Sequence, residues 1–454
     1  MFVLRPASKR PNAPAPKTSW KPSALFLALG LAASGVAQAQ NLLQLYEAAR
    51  QYDATYLAAK ALADSARYKA AQSDALFRPT ATLVGSSTRS ESEFPSGVNR
   101  GSTTNATSLQ GRQPLFNKTS RVTIDQAQRT LELSKWDLET AEQDLIVRVA
   151  QAYFDVLASQ DALETTRTNK VAIAEQLASA KRNFEVGTQT ITDTREAQAK
   201  FDLATAQEIA AENDLRVKRI ALDQLVGRSS VQPNPLVTPV ALPATTPNSV
   251  DAWVSQAAMH PAVQRAQLAA DIATLETEKA RAGHLPTLDA VATAGVNKFI
   301  GVTGPTSTPG TTQTATLGLQ FNWPLYSGLS VQNRIKETLV LEEKTRNDLE
   351  AAKRSTAQAT RSAYFGVESG RAQVAALEAA ESSSKLALEA TQLGYRVGVR
   401  VNLDVLNAQT QLFTTRRDLA KARYEVVLNG LKLRQAAGQL KPADVEAANR
   451  LLTP

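Results

Sequence analysis

Apolar and polar positions along this chain alternate with two periods, and each period is used twice. A helical period runs from about Leu42 to Leu76 and stops before Pro79. From Thr119 to Glu185 neither Pro nor Gly occurs, and the residues are mostly the strong helix formers. A continuous helix of that length spans roughly 100 Å at a rise of 1.5 Å per residue. Gly187 closes it as a C-terminal glycine should, and a second long helix is predicted from about Asp193 to Val226, closed by Gly227. Within that helix Ala197, Phe201, Ala204, Glu208, Ala211, Leu215, Lys218 and Leu222 advance by alternating steps of four and three. Ala408, Leu412, Thr415, Leu419, Ala422, Val426, Asn429 and Leu433 do the same later in the chain. This is a coiled-coil-like seam with small, partly polar knobs. Such knobs allow close approach of helices and suit a wall with water on one side. Periodicity alone is equally compatible with an ordinary antiparallel bundle.

A period of two appears between prolines. In Thr312–Trp323 one face reads Ala315, Leu317, Leu319, Phe321 and Trp323, and the other Thr314, Thr316, Gly318, Gln320 and Asn322. Leu288, Ala290, Ala292, Ala294 and Val296 likewise oppose Asp289, Val291, Thr293, Gly295 and Asn297. Thr80–Thr88 and Asn105–Arg112 repeat the scheme more weakly around a polar Ser, Glu and Gly loop. These are strands with one apolar face, and about ten residues is the length of a tilted membrane-spanning strand. Four such strands cannot close a barrel, because the smallest membrane barrels need about eight. An open sheet edge is not tolerated in lipid, so strands that span a membrane require this chain to oligomerise.

The two halves are copies. Ala152-Tyr153-Phe154 recurs as Ala363-Tyr364-Phe365, Val186-Gly187 as Val397-Gly398, and Leu222, Gln224 and Gly227 as Leu433, Gln435 and Gly438, all 211 residues later. Arg78-Pro79-Thr80 pairs with Leu285-Pro286-Thr287 at an offset of 207, and Pro114-Leu115-Phe116 with Pro324-Leu325-Tyr326 at 210. The length changes therefore fall around the strands, where loops absorb them. The organisation read from the chain is a first repeat over residues 40–227, a proline-rich strap over 228–247, a second repeat over 248–438 and a tail over 439–454. Prolines 233, 235, 239, 243 and 247 exclude helix from the strap.

Residues 1–39 read as an export signal. Five basic residues precede a short apolar stretch from Ala24 to Val36, and Ala37-Gln38-Ala39 is a cleavage site of the A-x-A type. Beyond them 46 basic and 43 acidic residues remain, so the high isoelectric point gives no support to nucleic-acid binding. Cysteine is absent, which excludes disulfides, a thiol nucleophile and a lipid-modified N-terminal cysteine. No spanning helix is predicted. An exported chain of this kind is periplasmic, secreted, or a β-barrel.

No enzyme constellation is present: the phosphate-binding, metallopeptidase and serine-hydrolase motifs are all missing. The two histidines, His260 and His284, each lie within two residues of a proline and read as structural. No cofactor or metal is expected.

Over its whole length beyond the leader the chain resembles the TolC family of outer-membrane channel proteins. The resemblance rests on the duplicated halves, the proline-flanked strand pairs and the helical hairpins ending in Val-Gly. Its most specific stretch is Leu393-Gly394-Tyr395-Arg396-Val397-Gly398-Val399-Arg400 followed by Leu403-Asp404-Val405-Leu406-Asn407-Ala408. The counterpart is Asn183-Phe184-Glu185-Val186-Gly187, then Ile191-Thr192-Asp193. The resemblance implies a mainly α fold with membrane β: a homotrimer whose strands form one 12-stranded barrel, continued by a long periplasmic α-helical barrel. It implies an export duct in outer-membrane lipid, with a periplasmic adaptor and an inner-membrane ABC or proton-driven transporter as partners. Type I protein secretion and multidrug efflux are the two roles it offers. A soluble periplasmic coiled-coil adaptor is the alternative, and it has no use for the strands. Carried over by position, the gate would consist of Asp404, Asn407, Tyr395, Arg400, Asp193 and Gln176, with Tyr395 paired to Asp193 and Arg400 to Gln176. The adaptor would dock on the tips at Val186, Gly187, Thr188, Val397, Gly398 and Val399. Asn407 departs from the pattern, since the family often places a second acidic ring there.

Overall fold

The computed structural model describes residues 41–93, 99–237, 244–301 and 308–453. The predicted leader, the tips of both strand loops and residues 238–243 of the strap lie outside the described residues.

The first helical segment is two helices, α1 (Leu42–Tyr52) and α2 (Ala54–Asp74), followed by one 3-10 turn over Ala75–Phe77. The predicted single helix breaks at Asp53, whose backbone is extended and whose side chain accepts from the Tyr56 N–H, capping α2. A bidentate pair with Arg148, at 2.9 Å on both arms, fixes the break against the long helix that follows. The chain then forms β1 (Thr80–Glu93) and β2 (Asn99–Phe116), and climbs into α3 (Lys118–Glu185), 68 residues without interruption. Its antiparallel partner is α4 (Ile191–Val226), closed by Gly227 at φ 67°. A side chain at Gly227 would collide with the Tyr52 ring, so glycine serves both the left-handed turn and the close packing of α1.

The second repeat opens with a short α5 (Val250–Gln256) and α6 (Pro261–Ala282), the counterpart of α2. His260 caps α6: its Nδ1 accepts from the Ala262 N–H at 3.0 Å, and burial holds the imidazole below its ordinary pKa. β3 (Thr287–Gly301), β4 (Gly310–Asn322), α7 (Ser330–Arg396) and α8 (Asn402–Ala436) follow. The segment read as a tail carries α9 (Pro442–Asn449), whose Val445 and Ala448 are buried in the main core.

The four strands form one antiparallel sheet in the order β1-β2-β3-β4, so the halves join at β2–β3 and both β1 and β4 are edges. Leu83 pairs with Leu109, Leu109 with Ala294 and Ala294 with Ala315, which puts the odd positions of β1, β2 and β4 and the even positions of β3 on one face. The opposite face carries Thr82, Gln110, Thr293 and Thr316 in register. Leu317, Leu319 and Phe321 lie on the apolar face and are exposed, Leu317 to 86%, as is Trp323 just beyond β4. At the helical end of the polar face Arg112 donates to the buried Asp289 at 2.7 Å, the ion pair that ties the two halves of the sheet. Among the described residues no helix is long and apolar enough to cross a membrane.

The main core lies midway along α3, where Ile146, Val149, Tyr153 and Val156 meet Leu45 and Ala49 of α1, Leu222 of α4 and Leu428 and Leu431 of α8. Each such large side chain contributes about 1.5–3 kcal/mol on full burial. The strap packs here too. Tyr153 donates to the Asn234 carbonyl at 2.9 Å, and Leu236 bridges to Leu452 beyond α9. The predicted seam is real: Ala197, Ala204, Leu215 and Leu222 are buried on α4, and Leu412, Thr415, Leu419, Ala422, Val426 and Leu433 on α8.

Candidate functional site

The end of the hairpins away from the sheet gathers the predicted site residues. Both turns close in the same way. Thr188 N–H reaches the Asn183 carbonyl at 2.8 Å and Gly187 N–H the Phe184 carbonyl at 3.0 Å. Val399 N–H reaches Gly394 at 2.9 Å and Gly398 N–H reaches Tyr395 at 3.1 Å. These paired bonds satisfy the last carbonyls of α3 and α7 and demand a left-handed residue, supplied by Gly187 at φ 77° and Gly398 at φ 82°. The turns leave Val186, Val397 and Val399 exposed, so each tip ends in solvent-facing apolar surface.

The two helices that leave these turns start differently. α4 has a complete capping box: Thr190 Oγ1 accepts from the Asp193 N–H, and the Asp193 carboxylate accepts from the Thr190 N–H at 3.1 Å and its hydroxyl at 2.9 Å. α8 begins at Val401 with no side-chain cap.

That difference redirects the expected pairing. Asp193 is engaged in its own cap, and Tyr395 does not meet it. The Tyr395 hydroxyl accepts instead from Gln189 Nε2 at 2.6 Å and from Asn183 Nδ2 at 3.3 Å. Arg400 is likewise not paired with Gln176. Its Nη1 lies 3.6 Å from Asp404 Oδ2, one helical turn away on its own hairpin. Asn407, exposed on the same stripe of α8 as Asp404, accepts from Lys200 Nζ of α4 at 3.2 Å. The hairpins are thus linked at the tip by Tyr395 to the turn of the first half and by Lys200 to Asn407. Both acidic positions, Asp193 and Asp404, are occupied within their own half.

Gln189, Asn183 and Lys200 were not legible as site residues. Gln189 was reachable through the repeat, because it stands 211 residues before Arg400. Phe184 stands in the same relation to Tyr395 and has no hydroxyl, so the link runs in one direction only. Below these polar links an apolar cluster crosses the hairpins: Leu406 of α8 is fully buried among Ile173, Leu177, Ala180, Ala197 and Ala204 of α3 and α4.

Comparison with known proteins agrees with this architecture. The model of the outer membrane efflux protein family matches residues 45–228 and 253–439, one segment per repeat with the strap between them. Outer membrane protein TolC of Vibrio cholerae is 33% identical over 93% of this chain and 96% of its own length. The alkaline protease secretion protein AprF of Pseudomonas aeruginosa is 32% identical over 91% of this chain and 84% of its own length. Among solved structures, CusC superposes with a TM-score of 0.75 at 17% identity, over 88% of this chain and 92% of that one. VceC of Vibrio cholerae gives 0.75 at 18%, over 87% and 96%. The chain belongs to the outer membrane efflux protein family, that of the TolC channels.

Proposed function

We propose that three copies of this chain close one barrel in the outer membrane and form an export duct whose helical part reaches into the periplasm. The observation that carries this reading is the sheet: four strands, one face that carries the apolar positions, and two edges that no strand of the same chain pairs. Such an edge is not tolerated in hydrocarbon, and three sheets of four strands give the closed set that lipid requires. Residues 1–39 act as the export leader. The exposed valines at the tips dock a periplasmic adaptor, and an inner-membrane transporter supplies the energy. AprF and the PrtF protease secretion protein of Dickeya chrysanthemi, the latter 30% identical, carry protease secretion in their names. That similarity favours type I secretion as the role of this duct.

The tip is the gate in this reading. Tyr395 with Gln189, and Lys200 with Asn407, hold the second hairpin against the first, and a docking partner releases these hydrogen bonds, each of which contributes roughly 0.5–1.5 kcal/mol. Asp404 is compensated by Arg400, and Asn407 faces a lysine rather than adding an acid, so the duct has a weaker cation trap than one with two acidic rings.

The test is the mass of the detergent-purified protein by light scattering. A trimer that sediments with the outer membrane is expected. A monomer soluble without detergent overturns the reading in favour of a periplasmic scaffold.

A further inference from the structure

Two residues of α8 sit one turn apart on the face turned to the first hairpin, and neither belongs to the polar links described above. Leu406 is 0% exposed and completes a cluster otherwise made of first-half residues. Asn402 is 1% exposed, and neither its Oδ1 nor its Nδ2 has a hydrogen-bond partner. Gln189 adds a third unsatisfied atom at the tip: its Nε2 holds Tyr395 while its buried Oε1 has no partner. The repeat shows that this arrangement is peculiar to α8. The equivalent positions of α4 are Ile191 and Arg195, both exposed, so polarity and burial are exchanged at the first and the apolar peg is missing at the second.

The two side chains pull in opposite directions. Removing Leu406 from its socket exposes apolar surface on both hairpins, which opposes separation. Asn402 loses its hydration in the closed seam and gains no bond in return, a cost that disappears once water reaches it. We infer that Leu406 and Asn402 form an opposed pair that sets the opening of the seam between the hairpins, Leu406 as the peg that holds it and the unpaired Asn402 amide as the element that favours release. The functional consequence, control of the duct's aperture, rests on the tip being the gate.

The experiment uses the full chain in detergent and the absence of native cysteine. Ala180→Cys places a thiol in the socket, where Ala180 is fully buried, and its labelling by a water-soluble maleimide reports opening. Leu406→Ala is expected to speed labelling at least about tenfold, the factor carried by 1.4 kcal/mol. Asn402→Leu, which fills the same space without an orphan amide, is expected to slow it by a similar factor. Leu406→Val, a smaller change, covers failure of the alanine variant to assemble and should fall between wild type and alanine. Labelling unchanged in these variants, or moved in the same direction by Leu406→Ala and Asn402→Leu, overturns the inference. Single-channel conductance of the same proteins separates it from the gate reading. Labelling that shifts as expected while conductance stays at the wild-type level upholds the opposed pair and removes the gate from the tip.

Discussion

Asp53 shows how much one side chain decides here. It ends α1, caps α2 and answers Arg148 of α3, and the hydrogen bond from that guanidinium holds its carboxyl below the ordinary range. The stabilisation is therefore complete above the ordinary carboxylate value of about 3.9 and is lost as pH falls through the lowered folded value. Arg148→Ala leaves a nearly buried carboxylate with only its cap, and should cost about 2 kcal/mol at neutral pH. Thermal unfolding followed by circular dichroism should show that cost at pH 7 and a smaller difference at pH 3, below the ordinary carboxylate value. Equal differences at both would mean that the pair is not what Arg148 provides. Tyr395→Phe removes only a hydroxyl, and its expected effect is higher closed-state conductance with no change in assembly. Conductance at the wild-type level would leave the Gln189 contact as packing. Neither pairing was legible. The run from Leu42 to Leu76 contains no proline or glycine to announce a break, whereas Thr190 three residues before Asp193 has the spacing of a capping box, a signal that Asp193 is claimed locally.

At the level of elements the repeat was legible because glycine and proline punctuate it. The long helices begin and end within two residues of the expected bounds, since Gly187, Gly227 and Gly398 each occupy a left-handed position. Gly398→Ala has open space around it, so its cost is conformational only, about 1 kcal/mol. Faster amide exchange confined to the last turn of α7 should report it. Strand lengths were read short. The outer ends of β1 and β2 are polar, yet Arg89 still pairs with Thr103 and Glu91 with Gly101, because backbone bonds need no apolar side chain. The two hairpins also carry one ionic ladder with its signs exchanged. Arg167 meets Glu212 in the first at 2.5 Å, and 211 residues later Glu378 meets Arg423 at 2.8 Å. Glu381 likewise stands at the position of Lys170, but its partner Arg416 lies three residues before the counterpart of Glu208. Arg167→Glu alone should lower the melting temperature slightly, and the added Glu212→Arg should restore only part of the loss, because Arg167 also meets Glu208 at 3.2 Å. A double-mutant cycle without recovery would show that position 167 needs more than an opposite charge.

For the whole molecule, the apolar strand face and the number of strands were readable before any coordinates, because alternation and strand count are properties of the sequence. How the halves are fastened was not. The Arg112–Asp289 pair, Leu406 in its socket and α9 against α1 join residues more than 170 positions apart. No local pattern encodes such contacts.

The two open edges of the sheet also bear on the life of the chain before it has companions. A newly exported copy carries β1 and β4 unpaired and a greasy face uncovered, the combination that templates aggregation. The helices have no such difficulty, since their main core is built within one chain. If three copies close the barrel as proposed, the helical body can pack within one chain, whereas the sheet is complete only once the copies meet.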